Sequence, residues 1–291
     1  MTTTQQIDAR AIIKKLDRIR DLPTLPVVAM EVNKLIQDES ASIKTITQAI
    51  EKDQSIVSKL LKLVNSAFYG VSSKVTSVNE AVVLLGFNTL RNVVVSVSVV
   101  KVFASQKVPD GFNMADLWQH SASTAILTKY LLQRGCVVSG DSFVGGLLHD
   151  VGKIVMVQHF PELFYDIIRF AEDEGVSFRE AEKAVSPIGH ARIGAYLVKR
   201  WHLPPRLINC IEFHHMPDKT KADLELVATV HAANILANSL VSKDTAGNEL
   251  QKMDKEVARK FAAPLRNIQD WIMNAKSDID ELSTFFFESP S

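Results

Sequence analysis

Apolar residues recur every three to four positions along most of this chain, which is the spacing of amphipathic α-helices. In the amino-terminal third, such stripes are formed by Val28, Val32, Leu35 and Ile36, by Ile43, Ile46 and Ile50, and by Ile56, Leu60, Leu61 and Val64. Ser77 and Glu80 have the spacing of a capping box, and we expect a helix that begins there and ends at Gly86. The pattern predicts helices nearly throughout. Only residues 93–100 differ, because their β-branched side chains favour a strand by propensity alone.

A carboxylate interrupts one of these stripes. If the segment around it is helical, Asp150 shares a face with Phe143, Leu147 and Ile154 and lies where Leu or Val is expected. A buried carboxylate must be paired, hydrogen-bonded or bound to a cation. The adjacent His149 makes a divalent metal the sharper hypothesis, because imidazole nitrogen and carboxylate oxygen both suit such ions. A buried His–Asp hydrogen bond that joins two helices is equally compatible with this segment.

The remaining histidines favour the metal. The chain has eight, and several take inward-facing positions on predicted helices. These are His120 in the stripe of Leu117, Thr124 and Leu127; His214 after Leu207, Cys210 and Ile211, with His215 beside it; and His231, which adjoins Asn234. One histidine on an apolar face is usually a core residue, but five helices that each point His, Asp or Asn inward are harder to attribute to chance. We assign no role to His159 and His202, which lie at predicted helix ends or in loops.

The order of these motifs resembles the HD superfamily of metal-dependent phosphohydrolases. The motifs are Trp-Gln-His (118–120), His-Asp-Val-Gly-Lys (149–153), Gly-His-Ala-Arg-Ile-Gly-Ala (189–195), His-His (214–215) and His-Ala-Ala-Asn (231–234). Two amino-terminal stretches, at 22–29 and at 64–86, make the chain most similar to the HDOD branch, the HD-related output domains of bacterial signalling proteins. The likeness covers roughly residues 15–240. It implies an all-α fold, a two-lobed helical bundle, in which 93–100 is a buried helix.

The resemblance also implies a ligand set. The family's first His, its His-Asp doublet and its final Asp correspond to His120, to His149 and Asp150, and to position 234, which here is Asn234. An amide oxygen is a neutral and weaker ligand than a carboxylate, so this departure removes one negative charge from the site.

Members of the family that bind two metals have further histidines, which correspond to His190 and to His214 or His215. We therefore expect one or two divalent ions, of iron, manganese or zinc. In an active enzyme, Asp150 would serve the metal and Lys153, or Arg192, would stabilise charge on a phosphate.

The chain divides at two polar segments, 105–113 and 242–249. We expect an amino-terminal helical lobe over 1–105 without histidine, an HD-like lobe over 112–240 and a helical extension over 250–291. In that extension, apolar residues between 264 and 286 follow alternating steps of three and four. The simpler interpretation is a helix that packs on its own bundle, and the alternative is a homodimer seam or a partner-docking helix.

Composition narrows the class of protein. The 33 acidic and 33 basic residues balance, so we expect no nucleic-acid surface. Two cysteines in 291 residues indicate a reducing compartment. The first residues lack a signal-peptide pattern and the apolar run 93–103 is short, so we expect a cytoplasmic protein that does not bind membranes.

Two functions remain open. The first is a signal-transduction output module that binds a small-molecule ligand or a signalling protein without turnover, which Asn234 and the histidine-free lobe favour. The second is a divalent-metal-dependent phosphohydrolase that acts on a nucleotide or another phosphoester. A Gly-Tyr-Pro triplet, the signature of related cyclic-dinucleotide phosphodiesterases, does not follow His215, which argues against that activity.

Overall fold

A computed structural model describes residues 9–19, 22–38, 41–66, 69–104, 112–132, 140–241 and 253–287 of the chain. Its α-helices are α1 (Ala9–Arg18), α2 (Val27–Gln37), α3 (Ile43–Glu51), α4 (Gln54–Val64), α5 (Val78–Ala104), α6 (Met114–Leu132), α7 (Gly140–Leu148), α8 (Val151–His159), α9 (Pro161–Glu174), α10 (Phe178–Val185), α11 (His190–Arg200), α12 (Pro205–Phe213), α13 (Leu224–Val241), α14 (Lys255–Lys260), α15 (Ala262–Arg266) and α16 (Ile272–Phe287). These ranges contain no strand, and the predicted all-α fold is confirmed.

The longest helix, α5, consists of two segments joined at a kink. Gly86 has φ +71°, a left-handed conformation that glycine adopts without steric cost, and it ends the first segment where the sequence predicts. The Ser77 hydroxyl accepts a hydrogen bond from the Glu80 N–H at 3.2 Å, so the predicted cap is present. Residues 93–100 continue the second segment and are all buried. They are helical despite their β-branched composition, because burial on every face outweighs a propensity difference of less than 1 kcal/mol per residue.

The same helix is apolar and long enough to cross a membrane by length and composition alone, over Val78–Val102. In this fold, however, 61% of the 18-residue apolar stretch that meets this criterion is buried inside the protein. A helix in the core of a helical bundle meets the same criterion, so the burial of α5 is sufficient to explain its composition.

The amino-terminal helices and the histidine-bearing helices share an interface. Asp141 at the start of α7 is buried, and its Oδ1 accepts a hydrogen bond from Asn92 Nδ2 of α5 at 2.8 Å. Arg91 Nη2 lies 3.5 Å from the same oxygen, and Arg206 Nη1 of α12 lies 3.2 Å from Asp141 Oδ2. This network therefore ties α5 to the beginnings of the two helices that lead to the His-Asp and His-His doublets. The expected lobe boundaries fall mostly outside the described residues, and the division into lobes stays a prediction.

Glycines bring the helices around the doublet unusually close together. A Cβ atom at Gly146 would lie 2.7 Å from the Ala125 Cα of α6. One at Gly152 would lie 1.9 Å from the His190 carbonyl oxygen and 2.7 Å from the Gly194 amide nitrogen, both on α11. No real Cβ tolerates such distances, so the glycine of the His-Asp-Val-Gly-Lys motif is required for the packing of α8 on α11.

The carboxyl-terminal segment corrects one feature of the prediction. Residues 264–286 do not form one continuous coiled-coil helix, because they are divided among three elements: α15, a 3₁₀ turn at Ile268–Asp270 and α16. Helix α16 packs on α6, and Ala275, Ile279 and Leu282 of the predicted stripe are buried. The Tyr130 ring stacks on Trp271 with 5.5 Å between ring centroids, and the Tyr130 hydroxyl donates to Asp278 Oδ2 at 2.9 Å. The stripe thus packs on its own bundle.

We predict that Gly152→Ala destabilises the protein by about 1–3 kcal/mol, because the added methyl group meets backbone atoms that cannot rotate away. Gly194→Ala is the matched comparison, since its Cβ would lie no closer than 3.1 Å to any neighbour and a smaller loss is expected. Urea denaturation followed by circular dichroism measures both, and an equal loss in the two variants would contradict this explanation.

Candidate metal centre

The His149–Asp150 doublet lies between two helices and not within one. Helix α7 ends at Leu148 and α8 begins at Val151, so Phe143 and Ile154 lie on different helices. The prediction that they share one helical stripe with Asp150 is therefore wrong. Asp150 takes the position before the first residue of α8, yet its carboxylate makes no capping hydrogen bond there. The side chain instead points into the bundle, where Asp150 is 1% exposed and His149 is fully buried.

Histidines from three other elements converge on this carboxylate. His120 comes from the middle of α6, His190 is the first residue of α11, and His214 and His215 directly follow α12. The Nε2 atoms of His120 and His149 lie 3.6 and 3.4 Å from Asp150 Oδ2 and 3.2 Å from each other. The Nε2 atoms of His190 and His214 lie 3.0 and 3.8 Å from Asp150 Oδ1. His215 Nε2 lies 3.1 Å from His190 Nε2 and completes the cluster.

Hydrogen bonds on the far side of three rings fix which nitrogen faces inward. His149 Nδ1 donates to the Gly146 carbonyl and His214 Nδ1 to the Ile211 carbonyl, each at 2.7 Å. His190 Nδ1 donates to Glu182 Oε1 at 2.9 Å. A carbonyl oxygen can only accept, so the proton of neutral His149 and His214 resides on Nδ1 and the Nε2 lone pair points to the centre. This is the arrangement by which ligating histidines are usually oriented.

Two buried atoms of the cluster lack a hydrogen bond. They are Asp150 Oδ1 and His214 Nε2, which lie 3.8 Å apart. The nearest imidazole nitrogen to that oxygen is His190 Nε2, at 3.0 Å. Leaving buried polar atoms without a partner costs about 1–3 kcal/mol each. Converging lone pairs and unpartnered acceptors fit a divalent cation, which accepts several nitrogen and oxygen donors at once.

Electrostatics keeps most of the cluster in the protonation state that metal ligands need. Burial lowers the pKa of His120 to about 3 and holds the pKa values of His214 and His215 well below the usual value. Burial opposes ionisation of Asp150, but the neighbouring His149 and Lys153 outweigh it, so the pKa of that carboxyl is well below its usual range. The ring of His190 differs: burial opposes its protonation, yet the carboxylates of Glu182 and Asp150 raise its pKa.

The structure brings together the predicted metal-ligand residues and Lys153. Lys153 Nζ lies 2.6 Å from Asp150 Oδ2. Asn234 is buried on α13 and hydrogen-bonds the His120 side chain. In contrast, Arg192 is exposed on α11, and His202 is exposed in a turn. His231 faces another way, since its Nδ1 donates to the His214 carbonyl and its Nε2 accepts from the Asp254 N–H. The proximity of these side chains does not by itself test whether they bind a metal, so the ligand set stays a prediction.

Sequence reasoning missed helix α10, which supports the cluster from outside. Glu182 is 5% exposed and accepts hydrogen bonds from both the backbone N–H and Nδ1 of His190. Arg179 Nη2 donates to the His215 carbonyl at 2.7 Å, and the Phe178 ring lies under Lys153 Nζ at 5.1 Å. These residues belong to a polar run that is typical of an exposed helix, so no local signal in one sequence distinguishes them.

The comparisons with known proteins identify the family of this chain. The family model of the HDOD domain matches residues 22–217. The chain belongs to the HDOD family. It is 32% identical over 222 residues to an uncharacterized protein of Treponema pallidum (strain Nichols), a match that covers 75% of this chain and 42% of that protein. A shorter match, 38% identical over 56 residues, covers 19% of this chain and 14% of the uncharacterized protein YuxH of Bacillus subtilis (strain 168). The HDOD chain thus spans less than half the length of these curated relatives.

Solved structures share the whole fold. A candidate phosphohydrolase from Shewanella amazonensis SB2B is 25% identical with a TM-score of 0.73, and the match covers 94% of this chain and 97% of that one. An HDOD domain protein of unknown function from Geobacter sulfurreducens is 22% identical with a TM-score of 0.72, over 93% and 96% of the two chains. A candidate metal-dependent phosphohydrolase from the same Shewanella strain is 18% identical with a TM-score of 0.63, over 94% and 96%. The last two show the fold alone.

We predict that the protein purified without chelator contains about one or two equivalents of iron, manganese or zinc, and that Asp150→Ala removes them, because both groups of histidines share this carboxylate. His202→Asn is the matched control, because this exposed histidine has φ +55°, which asparagine tolerates. Elemental mass spectrometry measures the metal. Wild-type protein without metal, or equal metal in the Asp150 variant, would mean that the doublet only joins helices.

We also predict that the metal-free protein loses stability as the pH falls below about 6.5. The pKa values of His120, His214, His215 and His231 are lower in the folded state than the usual 6.5, so the unfolded chain binds more protons in that range. Each such proton contributes about 1.4 kcal/mol per pH unit. The raised pKa of His190 acts in the opposite direction, with stability that is present below pH 6.5 and lost as the pH rises.

The four histidines with lowered pKa values thus outweigh His190, and the net effect of acidification is a loss of stability. The pKa of Asp150 lies well below its usual range, so this carboxyl stays ionised between pH 5 and 8. Urea denaturation between pH 5 and 8 measures the slope. A free energy of unfolding that stays constant or rises on acidification would contradict the burial of neutral imidazoles.

Proposed function

We propose that this HDOD protein is a signal-transduction output module whose HD cluster binds one or two divalent metal ions. The observation that carries the proposal is the convergence of five imidazole Nε2 atoms on the buried carboxylate of Asp150, with Oδ1 and His214 Nε2 unpartnered. His120, His149, Asp150, His190, His214 and His215 would hold the ions, with Asn234 as a weaker ligand. Binding of a metal would contribute folding energy directly, because the unfolded chain presents no such site.

A binding role fits the burial of the cluster better than turnover does. His149, Asp150, His190 and His214 are all at most 1% exposed, so the coordinating atoms are almost entirely covered. A catalytic metal needs an open position for water or substrate. Solvent reaches the cluster at its edge, where the side chains of His120 and Lys153 are 15% and 23% exposed. The Lys153 ammonium is paired with Asp150 there, which closes that edge further.

The second candidate function is a metal-dependent phosphohydrolase. Lys153 favours it, since a partly exposed ammonium beside a metal cluster can bind the charge of a phosphate. The Shewanella relative at 25% identity carries the name of a phosphohydrolase. A bound divalent ion would supply a hydroxide nucleophile near neutral pH. In this chain, Asn234 would donate or accept a hydrogen bond at the edge where the usual aspartate adds charge.

The partner also belongs to the proposal. We expect a signalling protein or a small-molecule ligand, and no nucleic acid, as the zero formal charge indicates. Self-association through residues 264–286 stays a prediction. It would have to use a face other than the one that α16 buries on α6, and Met273, 68% exposed, lies on such a face. Light scattering of full-length protein and of a Met273→Asp variant measures it.

We predict that the metal-loaded wild-type protein does not hydrolyse bis(p-nitrophenyl) phosphate or a panel of nucleotides above the rate of His149→Ala. Asn234→Asp restores a carboxylate beside His120 and should tighten metal binding by about tenfold or more, with a gain in any hydrolysis. Turnover in the wild type that depends on the metal and disappears in His149→Ala would establish the second candidate function instead. Metal affinity that is unchanged in Asn234→Asp would show that position 234 is not a ligand.

A further inference from the structure

Asp150 divides the cluster into two half-sites. We define the Oδ2 half-site as His120, His149, Asn234 and Asp150 Oδ2, and the Oδ1 half-site as His190, His214, His215 and Asp150 Oδ1. Within each of the two groups of His and Asp ligand atoms, all atoms lie within 4.8 Å of one another. The two half-sites share one carboxylate but differ in charge, in competing cations and in what supports them.

The Oδ2 half-site is weakened by this chain's own residues. Lys153 Nζ forms a 2.6 Å ion pair with Oδ2, and a divalent ion at that oxygen would lie beside the ammonium. Like charges at such distances repel strongly where solvent screening is low. Asn234 contributes no charge to offset this repulsion. The side chain of His120 is also the most exposed of the imidazoles in these ion pairs, at 15%.

The Oδ1 half-site has the opposite properties. It contains both unpartnered buried atoms, Asp150 Oδ1 and His214 Nε2, and it offers three imidazoles. Glu182 adds a second negative charge directly behind it, because its Oε1 accepts from His190 Nδ1 at 2.9 Å and from the His190 N–H at 2.6 Å. A carboxylate behind a ligating histidine fixes the ring and makes its other nitrogen a stronger donor.

The position of the Glu182 side chain is fixed by burial and by close packing against the loop before α11. It is 5% exposed on α10, and a Cβ at Gly189 would lie 2.7 Å from its Oε2, so the loop before α11 is shaped around this carboxylate. Arg179, one turn earlier on α10, binds the His215 carbonyl at 2.7 Å. One helix therefore positions two of the three histidines of the Oδ1 half-site.

We infer that the Oδ1 half-site is the tight metal site of this protein, with Glu182 as its positioning residue, and that the Oδ2 half-site binds a second ion weakly. This inference rests on the proposed metal binding. It reverses the order that the family motif suggests, because the His-Asp doublet and its usual partners at 120 and 234 would form the weaker half. The chain would then retain one ion where a full enzyme retains two.

The experiment measures the metal bound by the full chain after dialysis against graded chelator, with Mn²⁺ or Zn²⁺ added alone as the probe. We expect His120→Ala to keep about one equivalent and His214→Ala to lose it. Glu182→Ala should weaken that equivalent by about tenfold to a hundredfold, with partial recovery in Glu182→Gln, whose amide oxygen can still accept from His190. Glu174→Gln, an exposed carboxylate at the end of α9, is the control and should change nothing.

A variant that gains metal binding is informative because misfolding can explain a loss of bound metal but not a gain. Lys153→Met removes the competing ammonium and should raise the bound metal from about one equivalent towards two at the same chelator concentration. In protein loaded with only one equivalent of Co²⁺, the visible absorption bands should change in Glu182→Gln and stay the same in Lys153→Met. The thermal midpoint with and without Mn²⁺ reports binding without reference to activity.

Failure of the proposed metal binding and failure of the half-site assignment would give different results. Wild-type protein that binds no metal would overturn the proposed function itself. Metal that is retained in His214→Ala and Glu182→Ala but lost in His120→Ala would leave the proposed function standing and overturn this inference. If Lys153→Met binds no more metal than the wild type, Lys153 is not the cation that competes with the second ion.

Discussion

The buried charge of Asp150 is the constraint on which the arrangement of this protein depends. A carboxylate that is 1% exposed is stable only if positive charge or hydrogen-bond donors surround it. Here the surroundings come from five histidines and one lysine, which belong to α6, α8, α11 and the segments after α7 and α12. The helices must therefore meet at one point, and the mutual positions of five elements are set by the surroundings of one side chain.

Close backbone contact makes this convergence feasible. Helix α8 begins directly after Asp150 and touches the start of α11 at Gly152, where a Cβ would overlap the His190 carbonyl oxygen. The same contact places His190 within 3.0 Å of the carboxylate. At the other ends of α7 and α12, Asp141 connects both helices to α5 through Asn92 and Arg206. The two helices that lead to the doublets are thus held at both ends, which ties the amino-terminal helices mechanically to the cluster.

The burial that stabilises the cluster also limits its chemistry. Converging imidazoles and an ionised carboxylate are suited to a divalent ion, but an ion among ligands of which four are at most 1% exposed has little room for a substrate. Lys153 and Asn234 both act on the half of the cluster nearer to solvent, one by adding positive charge and the other by omitting negative charge. Under the proposed binding role, a metal kept for structure and signalling would not need a second strong carboxylate.

Local patterns in the sequence predicted most of the amino-terminal helices and several inward-facing residues of the cluster, whereas the helical state of 93–100 and the inclusion of His190 and Lys153 came from the family resemblance. The spacing of apolar residues marked α2, α3 and α4, and inward-facing polar residues marked His120, Asp150 and His214, because a helix repeats every 3.6 residues wherever it lies. The break between α7 and α8 at His149–Asp150 was not visible, since the apolar spacing runs through it. Only the tertiary structure decided which oxygen of Asp150 each histidine approaches, that Lys153 pairs with one of them, and that Glu182 supports His190. Those contacts join residues from different helices, whose rotation and distance depend on packing across the whole bundle and leave no periodic signal in any one segment.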